Sequence, residues 1–446
     1  MSKRPDTEDP QKKTVGIGLA GFGTVGTGVW NILARNRELI EARAQGVAQL
    51  EIRRIAVRDL NRFREADAPD SIFTTDLAAL IEDPEVEIVV ELIGGTNAAF
   101  HLVAAALKAG KPVITGNKAL LAECGAELFA LSAEHNTPIH FEAAVAGAIP
   151  IIKAVQDSYI GNYIESFTGI INGTSNYILQ RMTEAGLGYP EALTEAKDLG
   201  YAEADETLDV NGWDAAHKAI LLASLAYGTL INYQDVYVRG IEMITPLDIK
   251  FAKELGYVVK LLSLVRHHPE KGIEIRTQPS FISSKHILAS VNGVFNAIAL
   301  KGDAAGESLF YGRGAGQEPT GSSVVADLVE AARHLSGTSS HRGFVPDTQA
   351  KPLLPIEETV TSCYVRFKVT DQPGVIAQIA TILADEGIGI SGTHSPSNPD
   401  DPNAEFVDLV FLLHETPFGH LCEVLSQIEA LESVTERPAL FRIEKL

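Results

Sequence analysis

The sequence predicts an α/β protein: a doubly wound parallel sheet, an α+β second domain, and a C-terminal βαββαβ, or ferredoxin-like, module. Three observations carry that expectation. A strand, a glycine-rich turn, a helix and a second strand follow one another over residues 15–57. Short apolar runs then alternate with helical patterns as far as Phe141. From Thr361 onward the chain repeats strand–helix–strand, twice.

The elements follow in order. Val15–Ala20 is a short apolar run that reads as a buried strand, and Gly21-Phe22-Gly23-Thr24-Val25-Gly26 follows it. A helix from Val25 to about Gln45 and a strand from Glu51 to Val57 complete the context a G-x-G-x-x-G requires. Helical patterns at Leu77–Ile81, His101–Ala109 and Leu120–His135 alternate with strands at Val86–Ile93, Pro112–Thr115 and Pro138–Phe141. Past Pro150 the texture changes: strands at Tyr163–Ile171 and Val236–Ile241 mix with helices at Tyr189–Asp198, Trp213–Gly228 and Pro246–Leu255. Gly312-Arg313-Gly314-Ala315-Gly316 leads into a helix at Ser322–Leu335. The expected division is a tail (1–13), a dinucleotide-binding domain (14–149), a catalytic and dimerisation domain (150–311), a return segment (312–335), a Ser/Gly/Pro-rich linker (336–357) and a separate module (358–446).

Composition narrows the function classes. With 446 residues and 45% hydrophobic content the chain can build several cores. A net charge of −21 argues against nucleic-acid or anionic-membrane partners, which require a concentrated positive field. Cys124, Cys363 and Cys422 are few and odd in number, which suits a reducing cytosol and excludes a disulfide framework or cysteine metal site. The N-terminus has no apolar h-region and no run approaches a membrane span, so a cytoplasmic protein is expected.

Residues 201–218 are the most informative stretch. Asp214 and Lys218 lie four apart and so share one helix face, and Ala219–Ala226 is apolar on nearly every side. A buried carboxylate–ammonium pair stabilises poorly relative to packed hydrophobes, so a catalytic pair is favoured over a solvated salt bridge. Gly21, Gly23 and Gly26 suit a tight turn, close approach to a pyrophosphate and helix–strand packing; the backbone of Phe22, Thr24 and Val25 lines the same site. At the end of the second strand Asp59 suits a ribose hydroxyl, while Arg58, with Arg62 or Arg64, suits a 2′-phosphate; NADP is favoured and NAD stays open. Thr96 is a further cofactor-site candidate. Lys118, just past the strand Pro112–Thr115, is placed for nicotinamide or substrate. Glu142 precedes a run of small residues whose carbonyls could join it around a hard cation, an ordinary turn being the alternative. Asn172-Gly173-Thr174-Ser175-Asn176 reads as a polar loop whose Gly173 and Thr174 suit hydrogen bonding to a substrate. The histidines have no metal-ligand spacing.

Taken together, Gly-Phe-Gly-Thr-Val-Gly, Thr-Gly-Asn-Lys-Ala-Leu-Leu, Glu-Ala-Ala-Val-Ala-Gly-Ala-Ile-Pro, Asn-Gly-Thr-Ser-Asn-Tyr, Gly-Tyr-Ala-Glu-Ala-Asp and Asp-Ala-Ala-His-Lys, in this order, closely resemble bacterial homoserine dehydrogenase over about residues 14–335. The segment Asp-Gln-Pro-Gly-Val-Ile-Ala resembles the ligand loop and first helix of an ACT domain. The resemblance implies a Rossmann-type cofactor domain and reversible NAD(P)-dependent reduction of L-aspartate 4-semialdehyde to L-homoserine, on the route to threonine and methionine. It assigns Lys218 as acid/base, Glu203 and Asp214 as homoserine ligands, Lys118 beside cofactor and substrate, and Gly200 and Gly316 beside the nicotinamide. Glu142 with the backbone of Val145, Gly147 and Ile149 matches a monovalent-cation site, usually sodium. Asp371, Pro373 and Gly374 match an effector loop, with threonine as the expected ligand, and a homodimer or homotetramer is implied. Two departures stand out: Gly116, where alanine is usual, and Arg313, where proline is common. The competing readings are a similar dehydrogenase for another small carbonyl substrate and an amino-acid sensor on an inactive nucleotide fold. Glu203, Asp214 and Lys218 count against the first, and an intact glycine turn with Lys118 and Lys218 counts against the second.

Overall fold

The computed structural model describes residues 14–44, 49–62, 66–202, 206–337, 351–395 and 405–446. The first unit contains β1 (Thr14–Ala20), α1 (Thr24–Arg35), α2 (Arg37–Arg43), β2 (Gln49–Ala56), β3 (Phe73–Thr74), α3 (Ala79–Glu82), β4 (Ile88–Glu91), α4 (Asn97–Lys108), β5 (Val113–Thr115), α5 (Lys118–Glu134) and β6 (Ile139–His140). Its six strands run parallel in the order β3-β2-β1-β4-β5-β6, whose switch point lies between β1 and β4. The long helix expected from Val25 is two helices, broken at Asn36, whose φ of −107° and ψ of 19° leave the helical region.

The second unit contains α6 (Ile151–Lys153), β7 (Ile164–Ile170), α7 (Gly173–Ala185), α8 (Tyr189–Asp198), α9 (Thr207–Val210), α10 (Trp213–Tyr227), β8 (Tyr237–Val238), α11 (Pro246–Glu254), β9 (Tyr257–His268), β10 (Gly272–Ser283), β11 (Phe295–Gly302), β12 (Gly306–Arg313) and α12 (Gln317–Leu335). The last of these crosses back to pack on α1, where Val324 and Leu328 join Val29, Ile32 and β1 in one core. Burying each such side chain is worth roughly 1.5–3 kcal/mol. The two helices approach closely at Gly28, where an added Cβ would lie 2.1 Å from the carbonyl of Gln317.

Two features of this unit differ from expectation. Residues 172–176 are not a loop: the side chain of Asn172 caps α7 by accepting from the Ser175 N–H at 2.7 Å, and the helix begins at Gly173. The sheet is also dominated by β9–β12, of which the sequence analysis anticipated none. The antiparallel β9–β10 pair runs twelve residues on each side and is buried along most of its length. A strand buried on both faces loses the alternation that would reveal it.

The C-terminal segment adds β13 (Val360–Thr370), α13 (Val375–Asp385), β14 (Ile390–His394), β15 (Phe406–Pro417), α14 (Phe418–Glu429) and β16 (Ala439–Glu444). Its strands lie in the order β16-β13-β15-β14, the ferredoxin-like arrangement. It is not structurally separate, however. Strand β16 pairs in parallel with β10 through Ser280–Ile282 and Arg442–Glu444, so one continuous sheet runs from β12 to β14. Phe281 stacks on Phe441 at 5.1 Å and lies 4.8 Å from Tyr364. Around them, Arg276 donates to both oxygens of Glu444 (2.6 and 3.0 Å) and to Glu274 (2.7 Å). Arg366 of β13 likewise engages Asp248 of α11. The end of the expected linker is also docked, with the Leu354 N–H donating to the Ile273 carbonyl at 2.7 Å.

Glu444→Ala should therefore lower unfolding free energy by about 3–5 kcal/mol, because it strands part of a guanidinium that is only 1% exposed. Lys445→Ala, which breaks an exposed pair with Glu415, should leave the urea midpoint unchanged. Equal midpoints for both variants would remove the Arg276–Glu444 clamp from the account of stability.

Candidate active site

Side chains from the start of α5, the start of α7 and the face of α10 meet around one carboxylate. Every residue of α10 from Asp214 to Ser224 is buried. That position makes Asp214 and Lys218 an interior pair. Lys218 Nζ donates to Asp214 Oδ2 at 2.6 Å and to the Ile171 carbonyl at 2.7 Å. Lys118, the first residue of α5, reaches the other oxygen, its Nζ 3.1 Å from Asp214 Oδ1. Asn172 Nδ2 donates to Asp214 Oδ2 at 2.8 Å and to Asp209 Oδ1 at 2.7 Å. Burial alone would raise the Asp214 carboxyl, but Lys218 and Lys118, with the hydrogen bonds from Lys218 and Asn172, hold it well below its ordinary value. The neighbouring Asp209 is pushed the other way, by burial and by the charge of Asp214.

The Asp214–Lys218 pair is the one the sequence predicts, whereas Asn172 as its support and Asp209 as a second carboxylate are evident only in the fold. Glu203 lies outside the described residues. Thr174 and Gly173 sit at the start of α7, and the Thr174 hydroxyl donates to the Tyr201 carbonyl at 2.8 Å. His217, on the same helix, is held down to about 4 by burial and by Lys118, and so is neutral at physiological pH.

The glycine turn has the steric signature of a phosphate loop. A Cβ on Gly21, whose φ is +96°, would lie 2.6 Å from the Leu92 carbonyl, and one on Gly26 would lie 2.3 Å from that of Gly21. At Gly23 nothing lies within 4 Å, which leaves room for a ligand above the first turn of α1. Backbone N–H groups at Thr24, Val25 and Gly26 belong to that turn, while the Phe22 ring is buried against Trp30 and Phe73. Arg58 is exposed just past β2, and the adjacent Asp59 accepts from the Asn61 N–H at 2.8 Å. Arg64 lies outside the described residues. Thr96 directly precedes α4, beside Gly94 and Gly95, and makes no side-chain cap hydrogen bond; Gly200 ends the turn after α8, and Gly316 precedes α12. Gly116 tolerates the more usual alanine, since a Cβ there meets only the Leu92 side chain at 3.3 Å and Ala143 beyond it. Arg313 directs its guanidinium over the Phe295 ring, 5.8 Å from its centroid.

Glu142 is 2% exposed, and its two oxygens accept from the N–H groups of Ile152 and Lys153, both at 2.9 Å. Its own N–H donates to the buried Asp327 of α12, which Lys153 also approaches at 3.2 Å. Two buried carboxylates thus share one lysine, and burial together with Asp327 pushes Glu142 up to about 7. The following backbone is left-handed at Ala146 and Gly147 (φ 54° and 52°). The Gly147 carbonyl accepts from the Ser323 hydroxyl at 2.7 Å, and the two carboxylates beside Lys153 leave a local deficit of positive charge. Among the described residues no cluster of three or more His, Cys, Asp or Glu forms a metal site, and no helix is long and apolar enough to cross a membrane.

The chain is similar to known proteins along nearly its whole length. The family model for homoserine dehydrogenase matches residues 150–329, and that for the homoserine dehydrogenase NAD binding domain matches residues 21–142. The homoserine dehydrogenase of Pseudomonas aeruginosa is 42% identical over 440 residues, covering 97% of this chain and 100% of its own. That of Helicobacter pylori is 43% identical over 433 residues, with coverage of 97% and 100%. The crystal structure of a homoserine dehydrogenase from Thiobacillus denitrificans aligns with a TM-score of 0.89 at 42% identity, covering 97% of this chain and 98% of that one. A hyperthermophilic archaeal homoserine dehydrogenase in complex with NADPH aligns with a TM-score of 0.61 at 28% identity, covering 72% and 98%.

The Glu142 environment sets a pH dependence. Its carboxyl binds a proton more tightly folded than unfolded, so its contribution is fully present below about 4.5 and lost as pH rises through about 7. Glu142→Gln should remove that fall. Urea unfolding of both proteins across this window should show their stability difference shifting in favour of the variant as pH rises. Parallel pH profiles would mean that the Glu142 carboxyl stays ionised throughout.

Proposed function

The chain belongs to the homoserine dehydrogenase family, and from that premise we propose how its residues divide the reaction between L-aspartate 4-semialdehyde and L-homoserine. The nicotinamide cofactor supplies the hydride to the aldehyde carbon, and takes it back in the reverse direction. Lys218 gives a proton to the carbonyl oxygen as negative charge builds there, and in oxidation it receives the proton of the hydroxyl. Lys118 stands on the cofactor side of the same oxygen and adds positive charge. Asp214 orients both lysines and, with Glu203 and the neighbouring Asp209, takes the amino group of the substrate. The observation that carries this reading is the single carboxylate of Asp214 accepting from both lysines inside an otherwise apolar helix packing.

The turn Gly21–Gly26 holds the pyrophosphate, with Thr96, Gly200 and Gly316 around the nicotinamide half. Preference for NADP is supported by exposed Arg58 beside an Asp59 already occupied by its own turn. Glu142 and the carbonyls of Val145, Gly147 and Ile149 would hold a sodium ion that compensates the Glu142–Asp327 pair. Residues 358–446 act as an ACT module in which the exposed loop Asp371-Gln372-Pro373-Gly374, ending in a left-handed Gly374 at the start of α13, receives threonine. A homodimer or homotetramer is supported by edge strand β12, which leaves Leu309 and Tyr311 exposed.

Lys218→Ala should lower kcat by about 10²- to 10⁴-fold while the NADPH dissociation constant stays at its wild-type value. Asp214→Asn should also raise KM for homoserine. Wild-type turnover by Lys218→Ala in stopped-flow assays would move the proton donor to Lys118.

Initial rates with NADPH and NADH, each with and without threonine, test the remaining assignments. A higher kcat/KM with NADPH is expected, together with inhibition that Asp371→Ala weakens. Preference for NADH would assign Asp59 to the ribose, and indifference to threonine with no heat of binding would make the C-terminal module structural.

A further inference from the structure

One buried carboxylate near the cleft has no part in the chemistry described so far. Glu91 ends β4 and is fully buried, an expensive position for an ionisable group. What offsets burial there is a set of hydrogen bonds rather than a cation. Glu91 Oε1 accepts from the N–H groups of Ile93 (2.9 Å) and Gly94 (3.2 Å), and Oε2 accepts from the Thr115 hydroxyl at 2.6 Å. Thr115 Oγ1 in turn accepts from the Asn117 N–H at 3.0 Å. The Asn117 side chain then works in two directions. Its Nδ2 donates to the Gly95 carbonyl at 2.7 Å, while its Oδ1 caps α5 by accepting from the Leu120 N–H at 3.1 Å.

We propose that Glu91, Thr115 and Asn117 are positioning residues that lock the Ile93–Gly95 loop to the start of α5, fixing at once the cofactor-facing backbone and the root of Lys118. Gly94 and Gly95 are both left-handed, with φ of 70°, and a Cβ on either would meet no atom within 4 Å. The loop is therefore tied down on its inner side and bare on its outer side, which suits the approach of a flat ring and its ribose. Lys118 follows Asn117 directly, so a rotation of the cap moves an ammonium that must stay 3.1 Å from Asp214. Small displacements of groups that orient reactants can cost about 10²-fold in rate. The inference rests on the proposed roles of Lys118 and Lys218.

Three substitutions test it. Asn117→Ser retains a capping oxygen for α5 but loses the donor to Gly95. Thr115→Val removes the shared hydroxyl at nearly constant volume, and Thr115→Ser restores it. For Asn117→Ser and Thr115→Val, NADPH titration by fluorescence should show about 10-fold weaker binding, and kcat should fall about 10- to 100-fold, with Thr115→Ser close to wild type. If Thr115→Val does not fold, Asn117→Ser carries the test alone. A folded Asn117→Ser with wild-type NADPH affinity and kcat overturns the proposal, as does a lowered melting temperature with both kinetic and binding constants unchanged. Lys218→Ala, measured in parallel, separates the two readings: if it stays active the assignment of the proton donor fails, whereas an inactive Lys218→Ala beside a wild-type Asn117→Ser sinks only the positioning role.

Discussion

The proposed active site depends on one carboxylate that two lysines share. Asp214 sits on a helix buried on every side, where an isolated charge would be prohibitive. It is tolerated because Lys218, Lys118 and Asn172 saturate its two oxygens. Those partners come from three different elements: α10 itself, the start of α5 and the start of α7. Asp214 therefore ties the nucleotide sheet to the second unit at the proposed site of the chemistry. Breaking one contact leaves a buried charge without its partner, and that penalty keeps the arrangement single-valued.

The same logic recurs away from the cleft. The β10–β16 ladder spans only three residue pairs, too short to hold a ninety-residue segment by backbone hydrogen bonds alone. The aromatic stack of Phe281, Phe441 and Tyr364 supplies apolar burial, and the Arg276–Glu444 pair supplies register, since a slip would separate a guanidinium from both oxygens it contacts. Arg366 repeats the device from β13 to α11. The C-terminal segment is thus a topologically complete βαββαβ unit that shares its sheet with the unit it follows. A ligand bound at its loop would act on a body continuous with the central sheet.

This distinction bears on how far the sequence could be read. The glycine turn was legible because its neighbours are short and local, and the Asp214–Lys218 pair because a four-residue spacing on an apolar helix has one geometric meaning. The C-terminal topology was legible because its two helices, α13 and α14, each bury one face at helical spacing between short apolar runs. What escaped was non-local or disguised. Strands β9 and β10 carry Lys260, Arg276, Thr277 and Gln278 inside the core, so their polar residues mark neither face as solvent. Asn172 read as part of a polar loop because capping residues and loop residues are the same types. Asp209 and Glu91 gained meaning only when the fold brought Asn172 and Thr115 to them. The fusion of two sheets through β16 has no sequence period at all.

The charge balance of the cleft also has a local logic that the whole-chain value hides. A net charge of −21 repels a dinucleotide at long range, yet exposed charges more than about 8 Å apart are largely screened at physiological salt. Inside that distance the groups at the site decide the outcome. Two lysines face Asp214, which they hold ionised, while Asp209 is pushed toward protonation beside it. A substrate bearing an ammonium and a developing oxyanion presents both signs at once. Its ammonium would favour the charged form of Asp209, and its oxygen would draw on the lysines that Asp214 orients. The cleft therefore holds, within a few ångströms, acidic and basic groups whose mutual compensation is completed by a zwitterionic ligand rather than by a simple anion.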